Sequence, residues 1–154
     1  MKEQREGFTS FMAAALDEAR AAASRGEVPV GAVIVREGRV VARAGNRTRE
    51  LADPTAHAEI LAIREACRVL GSERLTGHDL YVSLEPCPMC AAAISAARIG
   101  RLYYGASDPK SGGVAVGARV FSHPQCHHVP QVYDGIGAGE AEALLKEFFA
   151  GKRG

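Results

Sequence analysis

The sequence predicts an α/β sandwich built on a mixed sheet, and two patterns carry that reading. Two β-rich runs near the start, Val28–Val35 and Val40–Ala44, flank Arg36-Glu37-Gly38-Arg39, the pattern of an antiparallel hairpin. Beyond the hairpin, helical and strand-like segments alternate, the order that lays helices against a sheet containing parallel strands. A length of 154 residues fits one domain, 1–154. A domain of that size buries enough apolar surface to fold without disulfides or a structural metal.

Each element has its own signal. Residues 8–24 read as a helix, with Phe8, Met12, Leu16 and Ala19 at three- and four-residue spacing and Gly26 just beyond the end. After the hairpin a polar loop runs from Gly45 to Asp53. Asp53-Pro54 then suits a helix start, because Asp caps and Pro fits the first helical position. That helix extends to Leu70, ahead of Gly71-Ser72. Asp79–Leu84 reads as a short strand, Pro88–Arg98 as a helix and Arg101–Gly105 as another strand. Pro109–Gly117 is a glycine-rich loop, and Glu140–Phe149 a closing helix.

Composition narrows the class. Hydrophobic residues make up 47% and charged residues 24%, ordinary for a globular chain. No apolar run is long enough to span a bilayer, and the polar N-terminus lacks a cleavage-type signal, so a cytoplasmic location is expected. Cys67, Cys87, Cys90 and Cys126 would permit two disulfides, but a reducing compartment disfavours them. A close cysteine pair there signals metal binding or redox chemistry. The net charge of +1 does not by itself announce a nucleic-acid partner. Residues 36–50 do concentrate Arg36, Arg39, Arg43, Arg47 and Arg49 against Glu37 and Glu50. Such charges serve equally as a solvated hairpin edge that suppresses aggregation.

Two stretches carry the chemistry: His57-Ala58-Glu59 at the start of the second helix, and Pro86-Cys87-Pro88-Met89-Cys90 where strand gives way to helix. Helix residues two apart differ by about 200° around the axis. His57 and Glu59 therefore approach one point only if the helix N-terminus is aimed at it. Cys87 near a cap position and Cys90 in the first turn repeat the design. Helix N-termini favour thiolate over thiol and stabilise developing negative charge. One imidazole and two thiolates give Zn²⁺ three ligands and leave a fourth tetrahedral position for water, the catalytic arrangement. Glu59 is then the acid–base group that moves protons between water and substrate. A structural zinc site or a redox Cys-x-x-Cys would give Glu59 no role.

His-x-Glu followed by Pro-Cys-x-x-Cys resembles the cytidine-deaminase-like zinc enzymes. The longer text is similar to bacterial tRNA-specific adenosine deaminases, closest to alphaproteobacterial forms. It includes Glu27-Val28-Pro29-Val30-Gly31-Ala32, Gly45-Asn46-Arg47, Asp53 through Ile60, Leu84-Glu85-Pro86-Cys87 and Tyr104 through Lys110. The resemblance implies a three-layer α/β/α sandwich with a five-stranded mixed sheet, one Zn²⁺ per subunit and a homodimer. It also implies hydrolytic conversion of the wobble adenosine of an arginine tRNA to inosine, with the anticodon stem-loop as partner. By the same resemblance His57, Cys87 and Cys90 are zinc ligands and Glu59 the proton shuttle. The resemblance also implies that Asn46 contacts the flipped base, that Val28, Pro29 and Ala58 wall its pocket, and that Asp108 and Lys110 touch the anticodon backbone. The chain departs from that pattern in a short basic tail, Lys152-Arg153, and in Ser83 where threonine is common.

Other features have blander readings. His123-Pro124-Gln125-Cys126-His127-His128 is either a second metal site or, as expected here, a loop near the active-site mouth. Cys67 is expected to pack in the core and His78 to lie at the surface. Asn46 after Gly45 also suits a plain turn. The alanines at 91–93, 96 and 97 allow close helix approach and mark a candidate dimer seam. Two rival functions stay open: a free purine (guanine) or cytosine deaminase with the same zinc site, and a non-catalytic RNA-binding subunit. The second would be expected to lack the glutamate that Glu59 provides.

Overall fold

A computed structural model describes residues 10–153. Helix α1 (Met12–Ser24) leads into a hairpin of β1 (Gly31–Arg36) and β2 (Arg39–Gly45). Next come α2 (Ala58–Leu70), β3 (Asp79–Leu84), α3 (Pro88–Ala96) and β4 (Arg101–Ala106). A short 3₁₀ turn (Val120–Ser122), strand β5 (Gln131–Tyr133) and helix α4 (Ala138–Arg153) complete the described chain. The five strands form one mixed sheet in the order β2-β1-β3-β4-β5. β1 pairs antiparallel with β2 and β3, while β3, β4 and β5 run parallel.

The hairpin closes through Glu37 and Gly38, both at positive φ (51° and 75°). A two-residue turn of that kind matches the right-handed twist of its strands. Alternation along each strand then sends side chains to opposite faces. On one face Ala32, Ile34, Leu80, Val82, Leu102 and Tyr104 pack under α2 and α3. On the other, Val33, Val35, Tyr81 and Tyr103 pack under α1 and α4. Three layers result, as the resemblance implies. Gly31 lets α1 lie directly on the sheet, since a Cβ there would sit 2.1 Å from the Ala15 carbonyl oxygen. The buried Ser83 hydroxyl accepts the Gly31 N–H at 3.1 Å, a role threonine fills equally well. Arg20 on α1 pairs with Glu140 on α4 at 2.7 Å.

Several boundaries differ from the sequence reading. Phe8, at the start of the predicted first helix, lies outside the described residues, as do the side chains of Lys152 and Arg153. Val28-Pro29-Val30 precede β1 instead of joining it. The second helix begins at Ala58, not at Pro54. Asp53 turns inward locally, its Oδ1 accepting the Thr55 N–H (2.8 Å) and hydroxyl (2.7 Å), and His57 stays extended at φ −73°, ψ 153°. The third helix ends at Ala96, and the closing helix is longer at both ends than Glu140–Phe149. β5 has no counterpart in the periodicity because all three of its residues are exposed. His78 is buried, not at the surface; its Nδ1 meets the Thr76 carbonyl at 3.1 Å.

Candidate metal centre and its pocket

Two helices point their N-termini at one place. His57 is the N-cap residue of α2 and Cys87 that of α3, with Pro88 opening the latter at a position where its missing N–H costs nothing. Neither side chain makes a capping hydrogen bond. Instead His57 Nδ1 lies 3.6 Å from Cys87 Sγ and 3.4 Å from Cys90 Sγ. Among the described residues these three form the one group of His, Cys, Asp or Glu ligand atoms gathered this closely, all within 4.8 Å of one another.

The spacing tests the metal directly. Tetrahedral zinc with its usual bond lengths separates a sulfur and a nitrogen ligand by about 3.6 Å. Both observed S···N distances match that value. Among the described residues three ligand atoms converge, so the donor set would fit zinc with one position left for water or substrate. A hydrogen bond from Cys90 holds Cys87 down at about 4 against its burial, with His57 assisting. The same bond and burial push Cys90 up. A divalent ion held there would take both sulfurs as thiolates.

Glu59, in the first turn of α2, is buried beside the Cys90 sulfur. Burial pushes its carboxyl up to about 7, against the pull of its own backbone N–H and of His57. Above the centre lies a cavity of about 280 Å³ lined by Val28, Asn46, His57, Glu59, Cys87 and Asp108, among others. That is slightly below the usual range for drug-sized ligands and suits a single base. Asn46 Oδ1 accepts the Ala58 N–H at 2.8 Å, capping α2 in place of the His57 side chain. Its amide NH₂ is left as the donor at the cavity.

Of the residues expected at the pocket, Val28 and Asn46 line it, and so does Asp108, a residue expected on the anticodon backbone. Pro29 and Ala58 are fully buried behind the lining. Lys110 lies in an adjoining groove of about 510 Å³ with Leu145 and Phe149. The arginines of the 36–50 segment are partly engaged: Arg47 pairs with Glu50 at 2.6 Å and Arg43 with Glu18 at 3.7 Å. The His123–His128 loop contributes nothing to the lining of the cavity over the centre. It packs against the far end of α3, where Ser95 Oγ donates to the His128 carbonyl (2.7 Å) and His128 Nε2 meets the Ile99 carbonyl (2.6 Å). Cys67 packs half-buried against the core, as expected. Of the proposed small-residue seam, Ala91 and Ala97 face inward, leaving Ala92, Ala93 and Ala96 outward.

Two buried glutamates escaped the sequence reading. Glu27 accepts the Arg49 N–H (3.2 Å) and the Glu50 N–H (2.8 Å), holding the loop on one side of the pocket. Glu85 does the same for the loop that carries Asp108. A charged residue flanked by apolar ones was the available signal, but it does not say where the partners lie.

Comparison with known proteins supplies the context. Residues 6–106 match the family model for the cytidine and deoxycytidylate deaminase zinc-binding region. The tRNA-specific adenosine deaminase of Agrobacterium fabrum is 64% identical over 145 residues, covering 94% of this chain and 95% of its own. A structure from studies of A-to-I editing by tRNA:A34 deaminases at the wobble position superposes with a TM-score of 0.87. It is 65% identical and covers 88% of this chain and 98% of that one. The guanine deaminase of Bacillus subtilis is more distant, with a TM-score of 0.64 and 33% identity, covering 94% of this chain and 92% of that one.

Proposed function

Because the chain belongs to the cytidine and deoxycytidylate deaminase family, and within it to the tRNA-specific adenosine deaminases, we propose that it converts the wobble adenosine of transfer RNA, an arginine tRNA by the family resemblance, to inosine. Water replaces the 6-amino group, which leaves as ammonia. The observation that carries the reading is the His57–Cys87–Cys90 cluster with Glu59 buried beside it under a base-sized cavity. His57 Nδ1 and the Cys87 and Cys90 sulfurs would hold one zinc per subunit. The bound ion would supply the Lewis acidity that makes water a nucleophile near neutral pH.

The chain's own groups do the rest. Glu59 takes a proton from the attacking water, gives it to the ring nitrogen beside the carbon attacked, and passes the second proton to the leaving amine. Its burial keeps bulk water from competing for those protons. Asn46 donates from its amide NH₂ to the base, and Val28 supplies an apolar wall. The first-turn N–H groups of α3 stabilise negative charge that builds on the attacking oxygen. Extruding the base from the anticodon loop lets it enter the cavity. Asp108, in the cavity lining, and Lys110, in the adjoining groove, would contact the flanking backbone.

A transfer RNA substrate fits a cytoplasmic enzyme, and among the described residues no helix is long and apolar enough to cross a membrane. The outward alanines of α3, with shallow cavities to either side, support a homodimer seam, testable by light scattering. Nucleoside mass spectrometry after incubation with an anticodon stem-loop tests the activity. Inosine at the wobble position supports it, whereas guanine turned over in preference to the stem-loop would move the enzyme to the guanine deaminases.

A further inference from the structure

The loop after β4, residues 107–116, is irregular, yet one side chain gathers it. Glu85 follows the end of β3, two residues before Cys87, and is 2% exposed. Its Oε1 accepts the Asp108 N–H at 3.0 Å and the Ser107 hydroxyl at 3.4 Å. Its Oε2 accepts the N–H groups of Ala115 (2.8 Å), Val114 (3.1 Å) and Val116 (3.4 Å). One carboxylate thus ties the beginning of the loop to its end. An unpaired charge so deeply buried would be costly, and five donors remove that cost. Burial raises the carboxyl's pKa, but the N–H groups of Asp108, Ala115, Val114 and Val116 outweigh it and leave it below its ordinary value.

The loop is also pressed onto the segment that carries the first cysteine. The Gly113 N–H donates to the Pro86 carbonyl at 2.8 Å. A Cβ on Gly113 would lie 2.5 Å from the Pro88 nitrogen, and one on Gly112 would lie 2.6 Å from Cδ of Glu85. From this seat the loop projects Asp108 and Ser111 into the cavity lining. The Asp108 carboxylate in turn accepts the N–H groups of Ser111 (3.0 Å) and Lys110 (3.3 Å).

We propose that Glu85 is a positioning residue: it fixes loop 107–116 against the Cys87 segment and thereby sets the outer wall of the pocket that receives the substrate base and its neighbours. The substrate part of this inference rests on the RNA-deaminase reading; the hold on the loop does not. Glutamine at 85 keeps the shape but turns an amide NH₂ towards N–H donors, whereas aspartate keeps two acceptors on a shorter stem.

Zinc-loaded wild type, Glu85→Gln, Glu85→Asp and Gly112→Ala are compared by zinc content, amide hydrogen exchange and steady-state turnover of an anticodon stem-loop. Glu85→Gln and Gly112→Ala should keep their zinc and the slow exchange of β1 and β3. Their 107–116 amides should exchange about tenfold faster, the effect of losing one net hydrogen bond. KM for the stem-loop should rise about tenfold with a smaller change in kcat, as expected when a binding surface loosens. Glu85→Asp should recover part of both effects. Loop exchange unchanged in both Glu85→Gln and Gly112→Ala would overturn the inference, and so would a loosened loop with an unchanged KM. A wild type inert towards the stem-loop would refute the RNA reading separately, with the exchange data still deciding what Glu85 holds.

Discussion

Asn46 offers the sharpest dissection of structure from chemistry, because its two ends do different jobs. Oδ1 accepts the Ala58 N–H at 2.8 Å, and Ala58 is fully buried. Asn46→Ala strands that donor, which costs about 2 kcal/mol for a buried, unpaired N–H. In a domain of this size the melting temperature should fall by roughly 4–8 °C. Asn46→Asp keeps an acceptor, and aspartate caps as well as asparagine does, so its melting temperature should stay within about 2 °C of wild type. It loses the NH₂ donor at the cavity, however. Turnover of the stem-loop should then drop about ten- to hundredfold in kcat/KM, the worth of a buried hydrogen bond to substrate. Scanning calorimetry and stem-loop kinetics on zinc-loaded protein measure both. An alanine variant as stable as wild type would remove the cap, and a fully active aspartate variant would remove the contact with the base.

Cys90→Ala should lose most of its zinc by elemental analysis, whereas full occupancy would disqualify Cys90 as a ligand. Glu59→Ala should retain zinc and stem-loop affinity while losing about 10⁴-fold or more in kcat, the top of the range for an acid–base group. Metal loss, or a tenth of the activity remaining, would show that the role is misassigned. Glu27 is buried, which raises its pKa, but the N–H groups of Glu50 and Arg49 and the charges of Arg25 and Arg49 hold it below the ordinary 4.5. Its contribution to stability is complete above that value and is lost as pH falls through the lower folded one. The gap in melting temperature between wild type and Glu27→Gln should therefore narrow in that acidic window, and a gap constant down to the lowest pH would contradict the assignment.

How much could be read from sequence depended on where each residue's partners lie. The hairpin, β3 and β4 announced themselves through apolar runs and turn residues, because their burial follows the chain's own order. The ligand cluster was legible for a similar reason: each half of it sits at a helix start, where spacing alone aims the side chains. β5 was not legible in the periodicity, since three exposed residues show no alternation and are placed by pairing with β4. The start of α2 was misplaced because Asp53-Pro54 has the composition of a cap, yet the Asp53 side chain is spent on Thr55. His78 looked like surface because its partner is a main-chain carbonyl, which no residue code reveals. Glu27 and Glu85 were missed on the same ground. Charge in a sequence signals solvent, but both carboxylates are buried on N–H groups more than twenty residues away.

The most direct test of the account compares one enzyme on two kinds of substrate. Purified zinc-loaded protein is given an anticodon stem-loop with adenosine at the wobble position and, separately, free adenosine, adenine, guanine and cytidine. A cavity of about 280 Å³ holds a base but offers few contacts by which to select it, so binding energy must come from the flanking nucleotides. The account predicts inosine formation in the stem-loop, negligible turnover of the free compounds, and an apparent affinity that falls as salt is added. Comparable kcat/KM on a free base and on the stem-loop would contradict it.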